Sequence, residues 1–117
     1  METADGHLSI RINSCTGQSI DSGKMKLLEE IRSGESISEA ARLIGMSRGR
    51  ACSLVDEINC SMREPAVTAG AGGAGGGGAI VTPVGERVIG LYHAIELRAR
   101  TAVGAELRAI EKLIRHD

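Results

Sequence analysis

The chain has 117 residues, of which 42% are hydrophobic, 25% are charged and only one, Tyr92, is aromatic. This length predicts a single domain, the composition excludes wholesale disorder, and no apolar run is long enough to span a membrane. The 14 basic and 15 acidic residues give a formal net charge of -1, which excludes a globally basic nucleic-acid-binding protein but leaves room for a local basic patch.

Cysteine usage and the amino terminus indicate the compartment. Cys15, Cys52 and Cys60 are odd in number and form no CxxC pair, which disfavours a disulfide framework. The opening METADGHLSIR has two acidic residues and no apolar segment typical of a signal peptide. We therefore expect a cytoplasmic protein with no membrane partner, in which Cys52 and Cys60 are small packing residues.

Residues 1–21 are predicted to hold a strand and a loop. Apolar and polar side chains alternate over 7–13, which is typical of a half-buried strand. The polar segment 14–23 contains two glycines and predicts a loop. Apolar residues recur every three positions over 24–34, which predicts a helix ended by Gly34.

Two helices joined by a tight turn are predicted next. An S-x-x-E capping box at Ser36 begins one helix, and Gly45 ends it. Ser47 caps the following helix after a single intervening residue, and Pro65 ends that helix. Helices joined this closely must cross steeply, which predicts a helix-turn-helix within a domain spanning 22–82.

A glycine-rich hairpin is predicted over 66–82. Two β-prone segments, AVTAG and AIVTP, flank residues 72–78, of which six of seven are glycine. A hairpin behind a helix-turn-helix is a wing, and its candidate DNA contacts are Gly73, Gly75 and Gly76. The tract also satisfies G-x-G-x-x-G, but a dinucleotide site needs a helix directly after the glycines, and a strand-like AIVT follows.

The final segment, 83–117, is predicted to be one long helix. Thr82 caps it, and Pro83 occupies the first helical position. Apolar residues step by three or four throughout, which predicts a helix on the order of 50 Å long. A small core cannot cover such a helix, so we expect its outer stripe to meet a second copy. The predicted interface residues are Val88, Leu91, Ile95, Ala99, Val103, Leu107 and Ile110.

No catalytic or metal chemistry is predicted. His93 and Glu96 are three residues apart and could share one metal ion, but no second H-x-x-E sequence completes a site. No serine or cysteine has a histidine placed to act as its base. We expect neither an enzyme nor a metal protein.

A basic patch coincides with the predicted helix-turn-helix. Three arginines and no acidic residue lie between Arg42 and Arg50, which predicts contact with DNA phosphates. The exposed early face of the third helix provides candidates for the major groove, namely Ser47, Arg48, Arg50 and Ser53. The second helix provides candidates that position the DNA backbone, namely Ser36, Ser38 and Arg42.

From Leu8 to about Leu97 the chain resembles the DNA-binding domain of the molybdate-responsive transcriptional regulators, the ModE family. The resemblance is carried by GKMKLLEEIRSGESISEAARLIGMSRGRA, by VDEIN and by GGAGGGGAIVTPVGE, of which the last is the most specific. The helix-turn-helix also resembles the amino-terminal domain of LysR-type regulators. The ModE resemblance implies a winged helix that dimerises through a long carboxy-terminal helix and binds operator DNA.

The chain departs from the family pattern at several points. Arg48 and Cys52 stand where members commonly have an aromatic residue and a tryptophan, and Ala74 stands where the wing often carries a basic residue. The chain resembles short, single-domain members that lack the molybdate-binding domain. We therefore expect no cofactor, and we expect any effector to be sensed by a separate protein.

Together these patterns predict a mostly α fold with a small antiparallel β-sheet, in which a winged helix-turn-helix precedes a long dimerisation helix. The predicted function is a sequence-specific transcriptional regulator that binds double-stranded DNA as a homodimer. A dimerising adaptor that modulates a larger regulator without binding DNA is an alternative. A nucleotide-binding protein that uses the glycine tract is a further alternative.

Overall fold

The computed structural model describes residues 8–70 and 78–115 of the chain. Within these ranges the elements occur in the order β1 (Ile12–Asn13), β2 (Ser19–Ile20), α1 (Ser22–Gly34), α2 (Ile37–Ile44), α3 (Arg48–Ser61), β3 (Val67–Ala69), β4 (Ala79–Val81), α4 (Pro83–Ala102) and α5 (Gly104–Glu111). The predicted mostly α fold with small antiparallel β-structure is confirmed. The predicted wing contacts Gly73, Gly75 and Gly76 lie outside the described residues.

The amino-terminal segment forms a short hairpin instead of one longer strand. β1 pairs antiparallel with β2, and Ile12 lies opposite Ile20. The alternation of apolar and polar residues predicted that Ile12 lies on a buried face. Ile12 is instead 41% exposed. β2 lies inside the predicted loop, because Gly17 adopts a left-handed φ of 91° and reverses the chain.

Helix α1 begins earlier than predicted because Asp21 caps it. The Asp21 carboxylate accepts a hydrogen bond from the backbone N of Lys24 at 3.0 Å. The predicted end is displaced by one residue, since Gly34 is still helical and Glu35 takes the left-handed position with φ 55°. Glycine was the expected residue for that conformation, but the chain adopts it one position later.

Lys24, whose burial was not predicted from the sequence, lies beneath the hairpin. Lys24 Nζ donates a 2.7 Å hydrogen bond to the carbonyl of Ser19 and lies 3.0 Å from a carboxylate oxygen of Glu57. These contacts join β2, α1 and α3. A buried ammonium is tolerated because both a carbonyl and a carboxylate satisfy it.

The hydrophobic core lies where α1 packs against α2, α3, β4 and α4. Its largest fully buried side chains are Leu27, Leu28, Ile31, Ile58 and Ile89. Complete burial of one such side chain contributes about 1.5–3 kcal/mol to stability. The core therefore fixes α1 behind the two helices of the helix-turn-helix.

The carboxy-terminal segment is two helices, so the prediction of one continuous helix over 83–117 is wrong for the described residues. α4 ends at Ala102, Val103 leaves the helical conformation with φ -110° and ψ 17°, and α5 begins at Gly104. Glycine is the poorest helix former after proline, which favours an interruption at this point. Among the described helices, none is long and apolar enough to cross a membrane.

Candidate nucleic-acid interface

Helices α2 and α3 form the predicted helix-turn-helix. Ser36 Oγ accepts a hydrogen bond from the backbone N of Glu39 at 3.1 Å, and Ser47 Oγ accepts one from the backbone N of Arg50 at the same distance. Gly45 ends α2 in the left-handed conformation, with φ 77°. Ala41 is 2% exposed, and its small side chain lets α2 pack closely against the core. The turn thus fixes where α3 begins.

Helix α3 has one buried face and one exposed face. The buried face consists of Ala51, Leu54, Val55 and Ile58. The exposed residues include all four sequence-predicted major-groove candidates, Ser47, Arg48, Arg50 and Ser53. α3 ends at Ser61, before Pro65, so proline does not itself end the helix.

Cys52 is half-buried and Cys60 is exposed, so the interpretation as a packing residue is wrong for Cys60.

Arg42 is paired with an acidic neighbour. Its guanidinium donates to the Glu39 carboxylate through Nε at 3.2 Å and through Nη2. This hydrogen bonding lowers the pKa of Glu39 and raises the pKa of Arg42. Glu39 therefore does not complete the predicted capping box with its side chain. The spacing of three residues on one helix was the sequence signal for this pair.

Arg48 is held by the other helix of the motif. Its Nε donates a 2.8 Å hydrogen bond to Ser38 Oγ. Both side chains are exposed, and Ser38 lies in the first turn of α2. The contact therefore links the beginnings of the two helices on the outer surface.

Arg50 lines a cleft of about 400 Å³ between the amino-terminal hairpin, α1 and α3. In the part of the chain that the structure describes, Arg50 forms no salt bridge. Arg11 lines the same cleft, but so do the acidic residues Asp21 and Glu57. The lining of the cleft therefore contains both positive and negative side chains. Arg50 itself is exposed to solvent.

The stem of the predicted wing is present beside the helix-turn-helix. β3 and β4 pair antiparallel with Val67 opposite Val81, and the backbone N of Ala79 donates to the carbonyl of Glu35 at 3.0 Å. The latter contact joins the stem to the residue preceding the cap of α2. A strand follows the glycine tract, so the helix that a dinucleotide cradle requires there is missing.

His93 lies between two carboxylates. Its Nε2 contacts Glu29, and its Nδ1 lies 3.3 Å from Glu96 Oε1. The two ring nitrogens face different carboxylates, so these groups do not converge on one point. Within residues 8–70 and 78–115, no group of three His, Cys, Asp or Glu side chains is arranged to hold a metal ion.

The predicted dimer stripe is divided by the helix break. Leu91 and Ile95 on α4 are 52% and 43% exposed, and Ile110 on α5 is 55% exposed. The other predicted interface residues, Val88, Ala99, Val103 and Leu107, are half-buried. Leu97, which was not predicted from the sequence, is also largely exposed on α4 but lies away from the stripe. Ile89 and Tyr92, also not predicted, form the buried face of the helix.

Comparison with known proteins identifies relatives over most of the chain. Protein-family models give no match. The molybdenum-pterin-binding protein MopB of Rhodobacter capsulatus is 39% identical over 102 residues, which cover 87% of this chain and 36% of MopB. The molybdenum transport protein ModE of Azotobacter vinelandii is 28% identical over 114 residues, which cover 88% of this chain and 42% of that protein.

A third relative is described as a regulator. The DNA-binding transcriptional dual regulator ModE of Escherichia coli K12 is 38% identical over 72 residues, 62% of this chain and 28% of that protein. The chain thus spans less than half the length of each of these relatives. The resemblance found in the sequence is confirmed: the chain is a homologue of the ModE and MopB proteins, which is consistent with a ModE-type domain.

Proposed function

We propose that this chain is a transcriptional regulator that binds double-stranded DNA in a sequence-specific manner. The observation that carries the proposal is the exposed first turn of α3, which presents Arg48 and Arg50 at the start of the second helix of a helix-turn-helix. In the described residues neither arginine is paired with an acidic side chain. The description of Escherichia coli ModE as DNA-binding supports the choice of DNA as the partner.

In this proposal α3 lies in the major groove. An arginine can donate two hydrogen bonds to O6 and N7 of guanine, and this pairing distinguishes guanine from the other bases. The start of α2 lies against the DNA backbone, where Ser36 and Ser38 contribute hydroxyl groups. Arg42 adds little net positive charge there because Glu39 neutralises it.

We propose a homodimer as the binding form. The exposed apolar side chains of Leu91, Ile95 and Ile110 support this, because burial against the same residues of a second copy would remove them from water. A symmetric dimer places its two recognition helices on half-sites about 34 Å apart, or a multiple of that distance. The operator is then palindromic.

The regulated genes are proposed to concern molybdenum supply. The name of MopB refers to molybdenum-pterin binding and that of Azotobacter vinelandii ModE to molybdenum transport. We propose a separate protein as the sensor of any effector. Molybdate added to the purified chain should then leave its DNA affinity unchanged.

The test is selection of bound duplexes from a random library, followed by gel shift of the selected sequence. We expect a palindromic duplex to be retarded and a scrambled duplex of equal length to be retarded only at higher protein concentration. Ser33→Ala, at an exposed serine on α1, is the matched control and should bind as the wild type does. Folded wild-type protein that enriches no duplex would contradict the proposal.

A dimerising adaptor that does not bind DNA is the second candidate. The pairing of Arg42 with Glu39 and the net charge of -1 favour it, because both reduce attraction to phosphates. An adaptor would sediment as a dimer and still retard no duplex at any salt concentration. Sedimentation combined with the gel shift therefore separates the two candidates.

A further inference from the structure

We propose that Ser38 is a positioning residue that holds Arg48 in the orientation needed to contact a guanine, an inference that rests on the proposed DNA binding. The two residues lie on different helices of the motif, and a 2.8 Å hydrogen bond from Arg48 Nε to Ser38 Oγ joins them. The specificity of the interface is thus set by α2 as well as by α3.

The local structure fixes both ends of this contact. Ser38 follows the capped start of α2. There Ser36 Oγ accepts a hydrogen bond from the backbone N of Glu39, and Ser36 also forms a β-bridge with Gly78. Arg48 is the first residue of α3 and follows its cap, Ser47. Because both backbones are held, the hydrogen bond restricts the side chain of Arg48 and not the helices.

The chemistry of guanidinium makes this arrangement selective. An arginine has five N–H donors, one on Nε and four on the two terminal nitrogens. The hydrogen bond to Ser38 uses Nε alone, and among the described residues the terminal nitrogens of Arg48 have no partner. The end of the guanidinium therefore keeps two parallel N–H groups for O6 and N7 of guanine.

The other two arginines of the basic patch, Arg42 and Arg50, do not combine a holding contact with an uncompensated charge. Arg42 uses Nε and Nη2 on the Glu39 carboxylate, so its charge is neutralised and one of its edges is occupied. In the described part of the chain, Arg50 has a free charge but no side-chain hydrogen bond to hold it. Arg48 alone of the three is both held and uncompensated, because its partner is a neutral hydroxyl.

Holding the side chain in advance favours binding. An arginine loses rotamer freedom when it contacts a base, and a side chain that is already restricted loses less. Ser38→Ala removes the restriction without removing the arginine. We expect it to weaken binding to the selected duplex roughly 3- to 10-fold, within the range for immobilising one flexible side chain.

The experiment compares base preferences and not only affinities. Selection with Arg48→Ala first identifies the base pair whose preference depends on Arg48. Ser38→Ala is expected to relax the preference at that same base pair, and Ser38→Thr, which keeps the hydroxyl, is expected to restore it. In the Arg48→Ala background, Ser38→Ala should cause no further loss of discrimination. Ser33→Ala is the control for removing an exposed helical hydroxyl.

A second measurement needs no DNA. By NMR, the Nε–H of Arg48 should exchange with water more slowly than that of Arg50, and Ser38→Ala should abolish the difference. If Ser38→Ala lowers the affinity for all duplexes equally and leaves the base preferences intact, Ser38 acts only through the DNA backbone, does not position Arg48, and the inference is wrong. If the folded wild-type protein retards no duplex, the proposed function itself fails, and this result is distinct from the first.

Discussion

Asn59, on the last turn of α3, holds Val67 of β3 through both ends of its side-chain amide. Its Nδ2 donates to the Val67 carbonyl at 3.1 Å, and its Oδ1 accepts from the backbone N of Val67 at 3.1 Å and from that of Ala66 at 2.8 Å. The helix proposed to contact DNA is thereby joined to the stem of the wing. Asn59 lies in the VDEIN segment that carries part of the family resemblance.

Asn59→Ala should destabilise the fold by about 2–4 kcal/mol, because it leaves buried backbone groups of residues 66 and 67 without partners. Urea denaturation measures the loss. Asn59→Asp is the informative control, since a carboxylate can still accept both N–H groups but cannot donate to the Val67 carbonyl. Its cost should be intermediate. A change below about 0.5 kcal/mol in Asn59→Ala would contradict the role assigned to the amide.

Two glycines of α4 should respond oppositely to alanine. A Cβ on Gly85 would lie 2.5 Å from the carbonyl oxygen of Ala66 and 2.6 Å from Val81 Cγ1, whereas one on Gly90 would meet nothing within 4 Å. Gly85→Ala should therefore cost about 1–3 kcal/mol by overpacking. Gly90→Ala should stabilise the helix by up to about 1 kcal/mol. Thermal denaturation of the two variants checks the difference, and equal effects would contradict the packing described.

The proposed dimer is tested by two charge substitutions on one helix. Ile95→Glu should yield a folded monomer, because Ile95 lies on the exposed stripe and outside the core, and a carboxylate there disfavours an apolar interface. Leu97→Glu is the matched control, since Leu97 is also exposed on α4 but lies off the stripe. Sedimentation should show a dimer for wild type and Leu97→Glu only. A dimer that survives Ile95→Glu would contradict the interface.

Salt dependence tests the charge pairing on α2. Each neutralised phosphate adds roughly 0.9 to the magnitude of the negative slope of log affinity against log salt, so Arg50→Ala, which removes an uncompensated charge from each protomer, should flatten the slope of a dimer by up to about two units. Arg42→Ala should change it less, because Glu39 already compensates Arg42. Glu39→Gln should steepen the slope by freeing that charge. Equal effects of Arg42→Ala and Arg50→Ala would contradict this distinction.

Ionisation of Tyr92 should destabilise the folded protein at alkaline pH. Its hydroxyl donates a 2.5 Å hydrogen bond to the Ile10 carbonyl, and burial, with smaller contributions from Glu96 and Asp21, raises the pKa of the phenol. A raised pKa in the folded state means that the stabilisation is complete below about pH 10, the ordinary value for tyrosine, and is lost as pH rises through the folded pKa.

Because Tyr92 is the only tyrosine and the chain has no tryptophan, tyrosinate absorbance follows this group alone. We expect its ionisation to coincide with unfolding at high pH. Tyr92→Phe should lower stability by about 1 kcal/mol at neutral pH through loss of the hydrogen bond. The variant should also lack the part of the stability loss at high pH that ionisation of Tyr92 causes. Ionisation of Tyr92 at its ordinary pKa in the folded protein would contradict the prediction.

The sequence alone determined the features that depend on neighbouring residues. Ser36, Ser47 and Thr82 each cap a helix as predicted, because the hydroxyl and the amide that it accepts are three residues apart. Gly45 ends α2 for an equally local reason, its tolerance of positive φ. The order of α1, α2 and α3, the β3–β4 hairpin that follows them, the start of α4 and the exposed face of α3 follow from these caps and from the apolar period.

Local spacing also marks three features that are absent from the predictions above. Glu39 and Arg42 are three residues apart on one helix, which is enough to predict their pairing. Lys24 precedes Leu28 by one helical turn and therefore lies on the buried face of α1. The break at Val103 was marked by the glycine that follows it.

Only the tertiary structure decided which distant groups meet. Tyr92 and Ile10 are 82 residues apart, and Arg48 and Ser38 are ten residues apart on two helices, where the tight turn predicts a steep crossing but not which side chains meet. Gly85 is required because the carbonyl of Ala66, just before β3, approaches it closely. Such contacts depend on how the buried faces of α1, α3 and α4 pack together, and packing is a property of the whole core.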